Sequence, residues 1–131
     1  MNIAHVALWT RHLDAQVQFW ETVFGGRRNE RYHSKNRPGF ASHFITLDGG
    51  PTLELMTVPD LPDAPAYPEF IGWAHIAIHV GSQAEVDRMA AQAQSNGTLL
   101  SAPRMTGDGF YEAVIADPDG NRIELTGEEK T

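Results

Sequence analysis

Hydrophobic and polar residues alternate in short segments of this chain, and in two longer segments apolar residues recur at helical spacing. Residues 3–9 alternate, with only apolar side chains on one face, which is typical of a strand that packs one side on a helix. Apolar residues then recur every three or four positions from Leu13 to Phe24, which predicts a helix ended by Gly25 and Gly26. Further strands are predicted at 28–33, 40–47 and 51–58.

The second half of the chain repeats this order of elements. A strand is predicted at 73–80, and Ser82 with Glu85 three residues later forms a capping box that starts the next helix. Asn96 and Gly97 are typical of a helix end, so the helix stops there. Further strands are predicted at 98–105, 110–116 and 121–126. The fold class predicted from this order is α+β, with two βαβββ modules in succession.

An internal repeat with an offset of 70 residues supports this division. His5 in I-A-H-V-A-L-W corresponds to His75 in W-A-H-I-A-I-H, and Glu54 in L-E-L corresponds to Glu124 in I-E-L. We interpret the match as a duplication within one domain. The predicted bounds are 1–131 for the domain, about 1–58 for the first module, 59–72 for a stiff Pro-rich linker and about 73–127 for the second module.

The phase of the alternation places four metal-capable side chains on the face opposite the apolar one. His5 and His75 each oppose apolar neighbours in a predicted strand, and so do Glu54 and Glu124. Two imidazoles and two carboxylates suit one six-coordinate divalent ion such as Ni, Zn, Mn or Fe, with two positions left open. These four residues are therefore the predicted metal ligands. The remaining histidines are expected to be surface or local hydrogen-bonding residues: His12, His33, His43 and His79.

Composition narrows the class of protein further. The 131 residues include no cysteine, which excludes a thiolate metal site and a cysteine nucleophile. A net charge of −7 argues against a nucleic-acid or anionic-membrane partner. No apolar run approaches the roughly 20 residues of a membrane span, and the N-terminus lacks the features of a signal peptide. We expect a soluble cytoplasmic protein.

The doubled βαβββ pattern with its paired histidines and glutamates resembles the vicinal oxygen chelate superfamily. The run D-P-D-G-N-R-I-E-L from Asp117 to Leu125 carries the same resemblance. This superfamily includes glyoxalase I, fosfomycin-resistance enzymes, extradiol dioxygenases and bleomycin-resistance proteins. The resemblance implies that the two modules form a curved, incomplete barrel around the metal. It also implies a homodimer, with the site within one chain or shared by two.

The ligand order His, Glu, His, Glu is similar to that of glyoxalase I, the lactoylglutathione lyase. This resemblance implies a metal-dependent lyase or isomerase acting on a small α-hydroxycarbonyl or hemithioacetal-type substrate through a metal-stabilised enediolate. Glu124 would then be the catalytic residue, taking a proton from the carbon beside the carbonyl or hydroxyl. Two positions depart from glyoxalase I, because Trp9 and Val58 stand where that enzyme has an Arg and an Asn that hold glutathione. Glutathione is therefore not the expected substrate partner.

Two alternatives remain, and both take a small-molecule ligand. An extradiol-type dioxygenase would need Fe(II) and a three-ligand face, against which Glu54 argues. A non-catalytic drug- or metabolite-binding protein, like the bleomycin-resistance members, would need no metal. The residues predicted to contact the small molecule are Trp9, Met56, Trp73, Arg104, Phe110 and Tyr111.

Overall fold

The computed structural model describes residues 1–128, which fall into two compact units. The first unit is Met1–Ala64, and the second begins at Pro65. The first contains one helix, α1 (Leu13–Phe24), with β1 (Val6–Trp9), β2 (Arg27–Arg28), β3 (Tyr32–His33), β4 (Ala41–Thr46) and β5 (Thr52–Thr57). The second contains α2 (Gln83–Asn96), with β6 (Ile76–Ser82), β7 (Leu99–Met105), β8 (Tyr111–Ala116) and β9 (Arg122–Glu128).

Each unit is a mixed sheet with one helix, so the predicted α+β fold with two βαβββ-like modules is confirmed. The first sheet has the order β1-β5-β4-β2, with β3 also paired to β4. The second has the order β6-β9-β8-β7. In both sheets the first strand runs parallel to the last strand of its unit, and the other neighbouring strands are antiparallel.

The core of each unit lies between the helix and one sheet face. Leu13, Val17 and Trp20 of α1 are buried, as the helical spacing predicts. The corresponding face of α2 buries Val86, Met89, Ala90 and Ala93. Central strands supply the other side of each core, from Ile45, Leu53 and Leu55 in the first unit and from Ala113, Ile115, Ile123 and Leu125 in the second.

The single strand predicted at 28–33 is instead two short strands, β2 and β3, and the first strand of each unit also differs from the prediction. The first strand of each unit begins later than predicted, at Val6 rather than residue 3 and at Ile76 rather than residue 73. Val6 is 40% exposed, whereas its apolar face was expected to pack on a helix. The reason is that β1 is an edge strand, and α1 packs mainly on β2, β4 and β5.

Local hydrogen bonds fix the predicted helix start and tight turn. The Ser82 side chain accepts a hydrogen bond from the backbone N–H of Glu85, so the predicted helix start at Ser82 is confirmed, while the Glu85 carboxylate accepts from Arg88. In the turn before β9, a carboxylate oxygen of Asp117 accepts from the backbone N–H groups of Asp119 and Asn121, both at 2.9 Å. Within residues 1–128, neither helix is long and apolar enough to cross a membrane.

Candidate metal-binding site

The first unit brings His5 and Glu54 together. In the parallel pair β1–β5, Ala7 is the register partner of Glu54. His5 lies two residues before Ala7, so its side chain points to the same face of the sheet. Nε2 of His5 is 3.8 Å from Oε1 of Glu54. The His5 ring also packs edge-on against Phe44, with 5.6 Å between the ring centroids.

The second unit builds the corresponding pair by the same register. Ala77 of β6 is the partner of Glu124 in β9, and His75 lies two residues before Ala77. Nε2 of His75 is 3.3 Å from Oε2 of Glu124. In both units the histidine lies two residues before the alanine that is the register partner of the glutamate. Two segments that are 70 residues apart therefore form similar His–Glu pairs.

The two histidine side chains are exposed to a similar degree, and so are the two glutamate side chains. The histidine side chains are 44% and 42% exposed, and the glutamate side chains are 20% and 19% exposed. Imidazole nitrogen and carboxylate oxygen are donors that divalent transition metals accept. The donor chemistry of each pair therefore fits a divalent ion. Among residues 1–128, no group of three or more His, Asp or Glu side chains is gathered closely enough to hold a metal ion.

A further carboxyl group, that of Glu112, lies beside Glu124. In the antiparallel pair β8–β9 the partner of Glu124 is Val114, which makes Glu112 the diagonal neighbour of Glu124 on the same sheet face. Burial, then the hydrogen bond and the negative charge of Glu124, raise the pKa of Glu112 to about 7. The charge of Asp108 acts in the same direction, while Arg104 opposes it. At neutral pH this carboxyl is therefore partly protonated.

Sequence reasoning missed Glu112, although the alternation of β8 carries a signal for it. Ala113 and Ile115 are buried towards α2, so Glu112 lies on the opposite face, as Glu124 does. The repeat gives no signal, because the residue 70 positions earlier is Ser42. A carboxylate on this face of a predicted strand could have been found from phase alone.

Two of the residues predicted to contact substrate, Trp9 and Met56, are register partners in β1 and β5. They follow the first His–Glu pair along the same sheet face. Trp9 is 45% exposed and meets Phe40 edge-on, with 6.1 Å between the ring centroids. The guanidinium carbon of Arg37 lies 5.6 Å from the centroid of the Trp9 ring. An aromatic cluster with one cation thus lies at this end of the first sheet.

Arg104 and Trp73 occupy different surroundings in the second unit. Arg104 is the register partner of Glu112 between β7 and β8, which places it one strand further from Glu124. Trp73 precedes β6 and is 94% exposed, and it belongs to no helix or strand. Arg104 therefore lies on a strand of the sheet that carries Glu124, whereas Trp73 lies two residues before His75, outside β6.

Phe110 and Tyr111 lie at the start of β8. Phe110 is 54% exposed; its backbone oxygen accepts from the Thr106 N–H, and its own N–H donates to the Thr106 hydroxyl across a turn. The Tyr111 hydroxyl donates a hydrogen bond to Asp87 of α2, which raises the pKa of Tyr111. Tyr111 therefore faces the helix side of the sheet, opposite the face that carries Glu124.

Two other histidines make local hydrogen bonds, as expected. His43 is buried, and its Nδ1 lies 3.0 Å from the backbone oxygen of Asn29. Nδ1 of His79 is 3.3 Å from the Thr126 hydroxyl. Neither histidine adds a donor to the two pairs.

Sequence comparison identifies relatives of the whole chain. Residues 2–125 match the profile of the Glyoxalase/Bleomycin resistance protein/Dioxygenase superfamily. Uncharacterized protein PA2024 of Pseudomonas aeruginosa strain PAO1 is 30% identical over 128 residues, which cover 95% of this chain and 87% of that protein. The resemblance inferred from the paired histidines and glutamates is therefore confirmed.

Solved structures share the fold over nearly the full length. Lactoylglutathione lyase from Agrobacterium tumefaciens superposes with a TM-score of 0.67 at 23% identity, covering 96% of this chain and 92% of that one. The fosfomycin resistance protein FosX from Listeria monocytogenes, solved with Mn(II) and sulfate, has a TM-score of 0.72 at 18% identity, with coverages of 98% and 93%. These similarities establish the fold, which different activities share.

Proposed function

Since this chain belongs to the glyoxalase/bleomycin resistance protein/dioxygenase superfamily, we propose that it is a metal-dependent lyase or isomerase of the glyoxalase I type. Its substrate would be a small α-hydroxycarbonyl or hemithioacetal-type compound. The observation that carries the proposal is the equivalent His–Glu pair in each unit. A solvated sheet face gives no reason for the same two donor types to recur at the same register.

The two pairs together would hold one divalent ion, Ni, Zn, Mn or Fe. The four ligands are His5, Glu54, His75 and Glu124, supplied by one chain or by two chains of a homodimer. As the family resemblance implies, the two sheets would form a curved, incomplete barrel around the ion. When bound, the ion would stabilise negative charge that develops on substrate oxygens.

Proton transfer is assigned to Glu124. Its carboxylate would remove the proton from the carbon beside the carbonyl and return it to the neighbouring carbon. His75, 3.3 Å away, would hold Glu124 in place. Glu54 would act as a ligand without a proton-transfer role.

Trp9 and Met56 would form the apolar wall of the substrate site. Their shared face with Glu54 supports this assignment. Trp9 also stands where glyoxalase I has an arginine for glutathione, so we propose a thiol adduct other than that of glutathione. Arg104 would contribute from the second unit, whereas the positions of Trp73, Phe110 and Tyr111 lend no support to substrate contacts.

Non-catalytic binding of a metabolite is the second candidate. The aromatic cluster of Trp9, Phe40 and Arg37 favours it, because ring faces and a guanidinium can hold a planar or anionic ligand without a metal. Elemental analysis separates the two candidates. The lyase proposal expects one divalent ion per site in the purified protein and a lower melting temperature after EDTA treatment.

Turnover tests the reaction class. Metal-loaded protein should consume the hemithioacetal formed from an α-ketoaldehyde and a small thiol, and EDTA should abolish this activity. Light scattering during size-exclusion chromatography should give a dimer mass. Protein that binds no divalent metal and keeps its melting temperature in EDTA would refute the proposal in favour of metabolite binding.

A further inference from the structure

A row of side chains crosses the first sheet beside its His–Glu pair. The row consists of register partners on four strands: Trp9 of β1, Met56 of β5, Ser42 of β4 and Tyr32 of β3. Register partners point to the same sheet face, and Met56 lies two residues after Glu54, so this is also the face of Glu54. Two residues of a strand span about 7 Å. A small molecule that contacts Glu54 can therefore also reach the row.

Phe40 joins two rings of this row and brings Arg37 to them. The Phe40 ring centroid is 6.1 Å from that of Trp9 and 6.2 Å from that of Tyr32, and both contacts are edge-on. The guanidinium carbon of Arg37 lies over the Trp9 ring at 5.6 Å from its centroid and over the Phe40 ring at 6.0 Å. A guanidinium that contacts rings in this way can still donate from the N–H groups at its edge.

The turn that carries Arg37 has a backbone conformation fixed by local contacts. The Arg37 N–H donates to the Ser34 hydroxyl at 3.0 Å, and the Arg37 carbonyl oxygen accepts from the Phe40 N–H at 3.1 Å. Gly39 has a φ of +85°, and an added Cβ there would overlap the Pro59 ring. The position of Arg37 beside the rings is therefore defined by the backbone of the turn.

Arg37 is an exposed cation that has no carboxylate partner within residues 1–128. Five of the ten Lys and Arg residues of the chain lie between positions 27 and 37, and Glu30 is the one acidic residue there. Three arginines of this stretch are ion-paired with carboxylates of the first unit: Arg27, Arg28 and Arg31. The charge of Arg37, by contrast, is available to an anionic ligand.

We propose that Arg37 binds the carboxylate of a small organic acid whose apolar or aromatic body lies against Trp9 and Phe40. Guanidinium and carboxylate are both planar and can form two parallel hydrogen bonds. The inference rests on the proposed function for placing the substrate beside Glu54, and it names the substrate class. The substrate is an α-hydroxycarbonyl or hemithioacetal-type compound with a carboxylate on the order of 7 Å from its reacting carbon.

The experiment follows the indole N–H signal of Trp9 by NMR while metal-free protein is titrated with sodium benzoate. Trp9→Phe assigns this signal among the three tryptophans. Benzamide is the neutral probe of similar shape, and phenyl phosphate tests a phosphate in place of the carboxylate. Arg37→Gln removes the cation, and Arg37→Lys keeps the charge without the planar group. Lys35→Gln is the matched control, because Lys35 is an exposed cation in the same segment between β3 and β4.

We expect benzoate to bind about tenfold more tightly than benzamide, because hydrogen bonds to a charged group are the stronger ones. Arg37→Gln should lose about tenfold in affinity for benzoate and nothing for benzamide. Arg37→Lys should lose an intermediate amount, since an ammonium cannot form the two parallel hydrogen bonds. Lys35→Gln should bind benzoate within about twofold of the unsubstituted protein, because salt screens a distant charge. The dispersion of the NMR signals checks that each variant is folded.

Three results would overturn the inference. The first is benzoate that leaves the Trp9 signal unchanged or binds no more tightly than benzamide. The second is an equal loss in Arg37→Gln and Lys35→Gln, which would reduce the effect to net charge. The third is binding of phenyl phosphate without binding of benzoate, which would make the ligand a phosphate. Because the protein is metal-free in this experiment, failure of the proposed function in the EDTA and elemental tests remains a separate result.

Discussion

The two units of this protein are built alike around their His–Glu pairs but differ in what surrounds the glutamate. In both, the histidine lies two residues before an alanine that is the register partner of the glutamate. The antiparallel neighbour of Glu54 is Phe44, whereas that of Glu124 is Val114. Glu112 adds a second carboxyl group beside Glu124 alone.

The two units therefore share the geometry of the His–Glu pair and differ in the side chains next to the glutamate. Phe44 packs edge-on against the His5 ring and places an apolar side chain beside the first pair. The second pair has a hydrogen-bonding neighbour in Glu112. A glutamate that only ligates needs no such neighbour, whereas a glutamate that also moves a proton benefits from a defined orientation. Under the proposed function, Glu54 and Glu124 would have different tasks.

The largest expected effect comes from Glu124→Gln. Glutamine keeps the shape and one ligating oxygen but cannot accept a proton, so kcat should fall by about 10²–10⁴-fold. Glu54→Gln in the first unit should weaken metal binding while keeping most of the turnover at saturating metal. Initial rates with the metal-loaded variants, together with their metal content, measure both effects. Equal losses of kcat in the two variants would contradict the division of tasks.

Core substitutions at equivalent positions test whether the units are equally well packed. Leu55 and Leu125 are 70 residues apart, and both are fully buried. Replacement of either by alanine should lower the free energy of unfolding by about 2–5 kcal/mol through lost burial and the cavity left behind. Urea denaturation measures the loss. Leu100→Ala, at a residue that is 47% exposed, serves as the control with a change of about 0.5 kcal/mol or less.

If Leu125→Ala loses several times more unfolding free energy than Leu55→Ala, the two units differ in core packing as well as in electrostatics. If the two losses are comparable, the units differ only on the exposed sheet face. Similar losses of stability are expected, because the two leucines are buried to the same extent.

Local periodicity predicted most of the fold because it depends on neighbours along the chain. The bounds of α1 agree with the apolar spacing from Leu13 to Phe24, and the start of α2 agrees with the Ser82 cap. The sheet face taken by each of these four side chains was predictable from phase, since alternation decides which face a side chain points to. His5 and His75 lie just before their strands, yet each lies on the face that carries the glutamate of its own unit.

Contacts that depend on strand register were not predictable from one sequence. The contact between Glu112 and Glu124 requires Val114 to be opposite Glu124, which alternation does not specify. The same holds for Arg37, which reaches Trp9 only because of the turn before β4. The burial of Val6 was overestimated because a pattern does not reveal which strand lies at a sheet edge.

Helix capping provides a smaller contrast between the units. Ser82 caps α2 through its side chain, whereas His12 at the start of α1 makes no capping hydrogen bond with its side chain. Ser82→Ala should therefore lower the free energy of unfolding by about 1 kcal/mol. His12→Ala should change it very little. Thermal and urea unfolding of the two variants would measure the contrast, and an equal loss in both would contradict the capping difference.

The smallest expected effect is a pH dependence of stability that comes from Glu112 in the second unit. The pKa of Glu112 is about 7 in the folded protein and near 4.5 when the chain is unfolded. Between these values the folded state holds a proton that the unfolded state has released. Glu112 therefore contributes stability that is fully present below about pH 4.5 and is lost as the pH rises through about 7. Because the side chain is partly exposed, solvent screening keeps this contribution small.

Urea denaturation of metal-free protein at several pH values would measure this contribution. From about pH 4.5 to 7, the free energy of unfolding of Glu112→Gln relative to the unsubstituted protein should rise, since glutamine has no proton to release. Glu30→Gln should keep the original pH dependence. An unchanged profile in Glu112→Gln would mean that the two carboxyl groups do not interact in solution. The electrostatic difference between the units would then be lost, although their shared donor geometry would stand.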